Sequence, residues 1–212
     1  RMGLGYNKML HQIKGQPVVV HTIKKFLNDV TCGQVVLVVN ELEIETMQQL
    51  LSDAGVKNPR IEIVSGGSER QYSVYHGLQV VREEVVLVHD GARPFVTQQM
   101  ISECFELAKK GHPSIVAVPV KDTMKRVVNG VVVETPNRDE MYSVQTPQAA
   151  PTELLKKAHE AAKKTHFLGT DEASLIEKYT DIPVCVVKGA YTNIKLTTPE
   201  DLLMAEQLLV AE

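Results

Sequence analysis

Val85-Val86-Leu87-Val88-His89-Asp90-Gly91-Ala92-Arg93-Pro94-Phe95 reads as a strand that is apolar at every position and runs straight into a loop holding an imidazole, a carboxylate and a guanidinium. Alternating polarity would mark a strand with one wet face, whereas a continuous apolar run marks one covered on both faces. Similar runs recur at Val35–Val39, Ile61–Val64, Ile115–Val118 and Val184–Val187. Between them, apolar residues fall at helical spacing: Val20, Ile23, Phe26 and Leu27; Ile44, Met47, Leu50 and Leu51; Val74, Leu78 and Val81; Leu154, Leu155, Ala158 and Ala161. Strand and helix alternate, which predicts an α/β fold, a Rossmann-like three-layer sandwich around a mostly parallel central sheet.

Helix starts are marked by caps. Ser68 with Gln71 predicts a capping box, Thr97 a cap for the helix through Leu107, and Thr198 stands before Pro199 with Glu200 and Asp201 behind it. Thr170 reads as a further N-cap. In open α/β sheets ligands bind beyond the carboxyl ends of the strands, so the loops at 65–70, 89–96 and 119–125 are where chemistry is expected.

One segment breaks the alternation. Lys125 to Thr135 reads K-R-V-V-N-G-V-V-V-E-T, and Asn-Gly between two Val-rich arms is a strong hairpin signal, because both turn residues must accept positive φ. A two-stranded arm is marginal alone and its valines need cover. It is therefore expected to protrude, over residues 121–143, from a single domain spanning 1–212 and to mediate a homodimer.

Composition limits the function classes. The 212 residues carry 23 Lys plus Arg against 26 Asp plus Glu, for a net charge of −3, with 43% hydrophobic residues. No dense basic run is present, which argues against nucleic acid or an anionic membrane as the main partner. Cys32, Cys104 and Cys185 are odd in number and far apart, as expected of reduced thiols in the cytoplasm. No apolar run approaches the length that spans a bilayer, and the beginning of the sequence carries no signal-peptide pattern.

Asp90 and Arg93 suit a Mg²⁺-bound polyphosphate, since Mg²⁺ is usually held by one or two carboxylates plus substrate phosphates while Arg supplies planar donors. The alternative is an ion pair stiffening a turn, and His89 reads as a satisfied core histidine. Gly66-Gly67 before a helix allows close backbone approach to a flat ligand, or is simply a tight turn. Ser73, one turn on, reaches back to a base edge or faces solvent. Arg1, Lys8, Lys121, Lys125, Arg126, Arg138 and Lys195 place further cations at predicted strand ends. P-loop, nucleophile-elbow and zinc-protease motifs are absent. Cations, Mg²⁺ and backbone donors without an obvious base serve a nucleophile that is already ionised, such as a phosphate monoester.

The motifs R-M-G at 1–3, Lys8, G-G-S-E-R at 66–70, V-H-D-G-A-R-P-F at 88–95, V-K-D-T-M-K-R at 120–126, Q-T-P-Q at 145–148, T-D-E-A-S at 170–174 and N-I-K-L-T-T-P-E-D-L at 193–202 together resemble the 2-C-methyl-D-erythritol 4-phosphate cytidylyltransferases, along the whole chain. The resemblance implies a nucleotidyltransferase that moves CMP from CTP to a polyol phosphate and releases pyrophosphate, with Mg²⁺ as cofactor. It implies that Arg1 and Lys8 neutralise the attacked phosphate and that Arg138 and Lys195 hold the substrate phosphate, the Arg coming from the neighbouring subunit's arm. Gly66, Gly67, Ser68, Ser73, Asp90 and Arg93 match the CTP-binding positions, with Asp90 also the metal ligand; Ser68 stands where the family often has Asp. Thr123, Thr146 and Thr170 match positions lining the sugar-phosphate pocket. The family carries a strand and a glycine-rich loop before its Arg-Met, so the natural chain is expected to continue upstream of Arg1. A ribitol 5-phosphate cytidylyltransferase and an inactive nucleotide-binding interaction subunit are the competing readings.

Overall fold

The computed structural model describes residues 8–209. Its strand Val85–Val88 shows why the run is apolar throughout. Val85 and Leu87 pack on one face with Met100, Cys104 and Ala108, while Val86 and Val88 pack on the other with Leu78, Leu155, Ala158 and Leu175. Successive side chains point to opposite faces, and both faces are covered by helices.

In chain order the elements are β1 (Gln12–Ile13), β2 (Gln16–Pro17), α1 (Val18–Leu27), β3 (Val35–Val39), α2 (Ile44–Asp53), β4 (Ile61–Ser65), α3 (Arg70–Leu78), β5 (Val85–Val88), α4 (Gln98–Lys109), β6 (Ser114–Pro119), β7 (Arg126–Val128), β8 (Val131–Glu134), β9 (Tyr142–Pro151), α5 (Thr152–Lys164), α6 (Glu172–Tyr179), β10 (Cys185–Lys188) and α7 (Pro199–Leu208). The main sheet has the order β10-β6-β9-β5, and β3 pairs in parallel with β4. β10 and β6 are parallel; β9 runs antiparallel to both β6 and β5, so β5 and β6 point the same way. On one side lie α4 and, against β3 and β4, α1 and α2; on the other lie α3, α5 and α6. Three layers result, as expected.

α3 reaches across the two sheets. A Cβ at Gly77 would lie 2.9 Å from a methyl carbon of Val38, so glycine there lets the helix settle on β3. α7 closes one end, packing Leu202 and Ala205 with Ile13, Val18, Phe95 and Leu196.

Several local expectations need correction. β6 is mostly buried, but β3, β4 and β5 are half-buried along their whole length. Among the described residues β5 is an edge strand and β3 and β4 each pair only with the other, so these strands are packed on their faces but open along an edge. The Ser68–Gln71 capping box does not form: α3 starts at Arg70 with Glu69 before it and no side-chain cap. Gln71 is drawn away, donating to the Phe167 carbonyl and accepting from the Gly169 N–H. Thr97 and Thr198 do cap α4 and α7, the latter in a capping box with Asp201.

The hairpin forms at the expected residues, β7 against β8, with φ of 50° at Asn129 and 79° at Gly130. Val127, Val128, Val131, Val132 and Val133 are 46–64% exposed on it.

Candidate active site

β5 delivers Asp90 to the carboxyl edge of the sheet, and three cations from three parts of the chain meet it there. Lys195 Nζ lies 3.0 Å from Oδ2, Arg93 Nε 3.5 Å from the same oxygen, and Arg70 Nε 3.6 Å from Oδ1. Burial works against the charge on Asp90, but the hydrogen bond and charge of Lys195, with the charges of Arg70 and Arg93, together hold its carboxyl below the usual range.

The loop is fixed from beneath by polar groups with little freedom. Thr146 Oγ1 accepts the Asp90 N–H at 3.1 Å and donates to His89 Nδ1 at 3.0 Å, a direction set by the Arg93 carbonyl, which can only accept and so keeps the ring proton on Nε2. His89 Nε2 then carries the ring proton and donates to the Arg93 carbonyl at 3.0 Å. Burial depresses the His89 pKa to about 4, so this ring is neutral at pH 7. His89 is thus the satisfied histidine that its sequence context suggests.

Lys195 is placed by its neighbours. Asn193 is buried and its side-chain amide donates to the Thr146 carbonyl and to Gln145, while its backbone carbonyl accepts from Arg93 Nη1 at 2.7 Å. The Leu196 N–H bonds the Ala92 carbonyl at 2.9 Å. Residues 193 and 196 therefore bracket the lysine and pin its segment to the β5 loop.

The glycine turn lies before α3. The Gly67 N–H donates to Ser73 Oγ, whose hydroxyl donates to the Glu69 carbonyl, each at 3.1 Å. A Cβ at Gly67 would stand 2.5 Å from the Tyr72 Cβ, so this approach of turn to helix needs glycine. Ser73 is thus the staple of the turn, neither idle nor merely facing solvent, and Ser68 at its tip is exposed.

Two members of the cluster, Arg70 in G-G-S-E-R and Glu172 in T-D-E-A-S, lie inside quoted motifs but are not among the site residues that the sequence suggests. Arg70 donates from Nη1 and Nη2 to the two carboxylate oxygens of Glu172 at 2.8 and 2.9 Å. Glu172 is only 3% exposed, in the first turn of α6. The available signal is a cation in the first turn of a helix, against the dipole, but its partner lies 102 residues away.

The remaining candidates are placed as follows. Thr146 is buried with its hydroxyl committed to His89 and Asp90. Thr170 is exposed and caps nothing; Asp171 caps α6, accepting from the Ser174 N–H and from Gln148. Thr123 and Arg138 are exposed on the arm, Arg138 donating to the Lys121 carbonyl at 3.4 Å. Among the described residues no hydrogen bond or ion pair joins either of them to Asp90. Arg1 lies outside the described residues, and Lys8 opens a short 3₁₀ turn, its side chain outside the description.

Among the described residues no three His, Cys, Asp or Glu side chains converge as a metal cage. A single strand-end carboxylate suits a hard cation whose other ligands are phosphate oxygens and water. Arg70 and Glu172 cancel each other's charge, and with Arg93 and Lys195 against Asp90, two charges against one, the cluster carries a net positive charge of one and is suited to gather anions.

Comparison with known proteins identifies the family of the chain. The family model described as IspD, 2-C-methyl-D-erythritol 4-phosphate cytidylyltransferase, matches residues 1–211. A protein of that name from Bacillus velezensis is 49% identical, over 100% of this chain and 91% of its own length. Another from Halalkalibacterium halodurans is 48% identical, over 99% of this chain and 91% of its own. A crystal structure of 4-diphosphocytidyl-2C-methyl-D-erythritol synthase from Anaerococcus prevotii superposes with a TM-score of 0.86 at 31% identity, covering 94% of this chain and 88% of that one. The Francisella tularensis 2-C-methyl-D-erythritol 4-phosphate cytidylyltransferase superposes with a TM-score of 0.81 at 29% identity, covering 95% and 93%.

Proposed function

Because the chain belongs to the 2-C-methyl-D-erythritol 4-phosphate cytidylyltransferase family, we propose that the cationic cluster around Asp90 is the place where CMP passes from CTP to the polyol phosphate. The chain is a nucleotidyltransferase that converts CTP and 2-C-methyl-D-erythritol 4-phosphate into 4-diphosphocytidyl-2-C-methyl-D-erythritol and pyrophosphate, a step of isoprenoid precursor synthesis.

The reaction explains the side chains. A phosphate monoester has its second pKa near 6 and is largely dianionic at neutral pH. One of its oxygens attacks the α-phosphorus of CTP, forming the new P–O bond as the bond to the bridging oxygen breaks and pyrophosphate departs. No proton must move, so an acid–base pair is not required. Two anions must be held together and the charge gathering on the phosphoryl oxygens stabilised by prepositioned cations.

Lys195 and Arg93 are the described cations best placed for this, with Arg1 and Lys8 the further candidates that the family resemblance supplies. Asp90 would hold Mg²⁺ together with the triphosphate, and the metal when bound neutralises phosphate charge. The glycine turn at 66–68 offers backbone to the cytosine, its shape kept by Ser73. Thr170 and, from the arm, Thr123 and Arg138 take the sugar phosphate. We assign the arm to a homodimer in which Arg138 serves the partner's cleft, because its five valines are exposed in the single chain. The three cysteines form no disulfide, in keeping with a cytoplasmic enzyme. Among the described residues no helix is long and apolar enough to cross a membrane.

The observation that carries the reading is Lys195 held 3.0 Å from Asp90 at the end of β5 in a chain of this family. It is tested by pyrophosphate release from CTP. Release is expected only when a divalent metal and a polyol phosphate are both present, and faster with 2-C-methyl-D-erythritol 4-phosphate than with ribitol 5-phosphate. A preference for ribitol 5-phosphate would move the acceptor assignment, and no release with either acceptor would leave a nucleotide-binding subunit.

A further inference from the structure

The two oxygens of Asp90 are not equivalent. Oδ2 is met by Lys195 at 3.0 Å and Arg93 at 3.5 Å, whereas among the described ion pairs Oδ1 faces only Arg70, at 3.6 Å. That separation is beyond a normal hydrogen bond, although Arg70 has the length and the charge to close it. What holds it back is visible: both terminal nitrogens of its guanidinium are taken by Glu172, at 2.8 and 2.9 Å in a bidentate fork.

Glu172 is an expensive partner. It is 3% exposed, and a buried ion pair is often no more stable than apolar side chains of the same volume. Burial pushes its carboxyl up, and Arg70 pulls it back only in part. Arg70 itself sits in the first turn of α3, where the helix dipole disfavours a cation. The dipole of α6 favours an acid at Glu172, in its first turn, but nothing local favours the buried pairing or the cation at Arg70, and control of Asp90 accounts for both.

We propose that Glu172 restrains Arg70 so that Oδ1 of Asp90 stays open to the metal-bound nucleotide, which makes Arg70 and Glu172 a positioning pair for this site. The inference rests on the reading of Asp90 as the metal-binding carboxylate. Without Glu172 the freed guanidinium closes on Oδ1 and masks it. With Arg70 also gone nothing masks it, and the site recovers. This suppression is what separates the proposal from a structural clamp, in which each added deletion only loosens the site further.

The measurement is binding of Mn²⁺ and CTP to the intact protein, without acceptor so that no turnover occurs, read from the electron paramagnetic resonance signal of free Mn²⁺. Glu172→Gln is expected to weaken Mn²⁺·CTP binding about tenfold, the lower end of what loss of an outer-shell partner costs a metal site. The double variant Arg70→Met/Glu172→Met, an apolar pair of similar bulk, is expected to bind within about threefold of the unaltered protein. A double variant that binds as weakly as Glu172→Gln, or more weakly, overturns the proposal. That arm stands even where thermal melts show that Glu172→Gln does not fold, because the double variant leaves no buried charge unpaired. Asp90→Asn separates the two levels: if it weakens binding while Glu172→Gln does not, the positioning role fails and the Asp90 reading survives. If Asp90→Asn binds Mn²⁺·CTP as the unaltered protein does, both fall.

Discussion

The loop after β5 and the arm between β6 and β9 each carry an arginine paired with a carboxylate, and breaking the shorter pair is expected to cost less. Arg126 meets Glu134 at 2.9 Å on the arm, with side chains 60% and 54% exposed; Arg93 meets Asp90 at 3.5 Å, with side chains 12% and 15% exposed. Water screens the first, and a pair of that kind contributes at most about 1 kcal/mol. The second is enclosed by His89, Thr146, Asn193 and Lys195, so removing a member leaves others without partners. Environment ranks these pairs, and distance does not. One region is finished within the single chain, whereas the other is exposed along almost its whole length.

The largest effect is expected at the finished end. Lys195→Ala should lower kcat by on the order of 10²–10³, as for removal of a preorganised charge-stabilising donor, in steady-state pyrophosphate release. A loss under tenfold would mean that Lys195 serves Asp90 structurally. The arginines come next. Arg93→Ala should destabilise the chain by about 2–4 kcal/mol because it leaves the Asp90 charge and the Asn193 carbonyl short of partners. In the same denaturant titration Arg126→Ala should stay within about 1 kcal/mol, and equal losses would break the contrast.

Acid should also separate the two regions. The pKa values of His89 and His159 are both lowered from 6.5 to about 4 by burial, with the charge of Arg70 adding to the effect at His159. A histidine depressed in the folded state leaves stability unaffected above the unfolded pKa. It withdraws stability as pH falls from about 6.5 toward 4, because the unfolded chain takes up the proton first. Each should cost roughly 2 kcal/mol by pH 4.5. Among the described residues His159 has no hydrogen-bond partner on either ring nitrogen, so His159→Leu should flatten part of this slope while retaining the fold. The arm at 121–143 contains no histidine. Amide protection factors, which correct for the slower intrinsic exchange in acid, should therefore fall on acidification in β5 and β9 before they change in β7 and β8.

What the sequence makes legible follows from how local each cause is. β5 occupies Val85–Val88 as its apolar run indicates, and the hairpin turn follows from Asn129-Gly130, because the residues that accept positive φ are the turn itself. Asp90 and Arg93 were legible as a strand-end pair for the same reason. β9 was not, since Y-S-V-Q-T-P-Q-A-A-P has few β-formers. It is a strand because β5 and β6 flank it, and its Pro147 falls where the β6 register shifts. Gln71 looks like half of a capping box until the distant Phe167 and Gly169 claim its amide. Arg70 and Glu172 stand in two motifs 102 residues apart, and no local signal pairs them, because the pairing exists only after folding.

The central claim is that a working cleft joins the Asp90 cluster of one subunit to Arg138 from the arm of another. Mixing Asp90→Asn protein with Arg138→Ala protein, after subunit exchange, tests it most directly. Each variant alone should be nearly inactive with 2-C-methyl-D-erythritol 4-phosphate. The equimolar mixture should regain about a quarter of the unaltered rate, because half the dimers are mixed and each of those holds one intact cleft. A mixture no more active than its components would place Arg138 in its own subunit's site or outside the reaction, and would contradict the account.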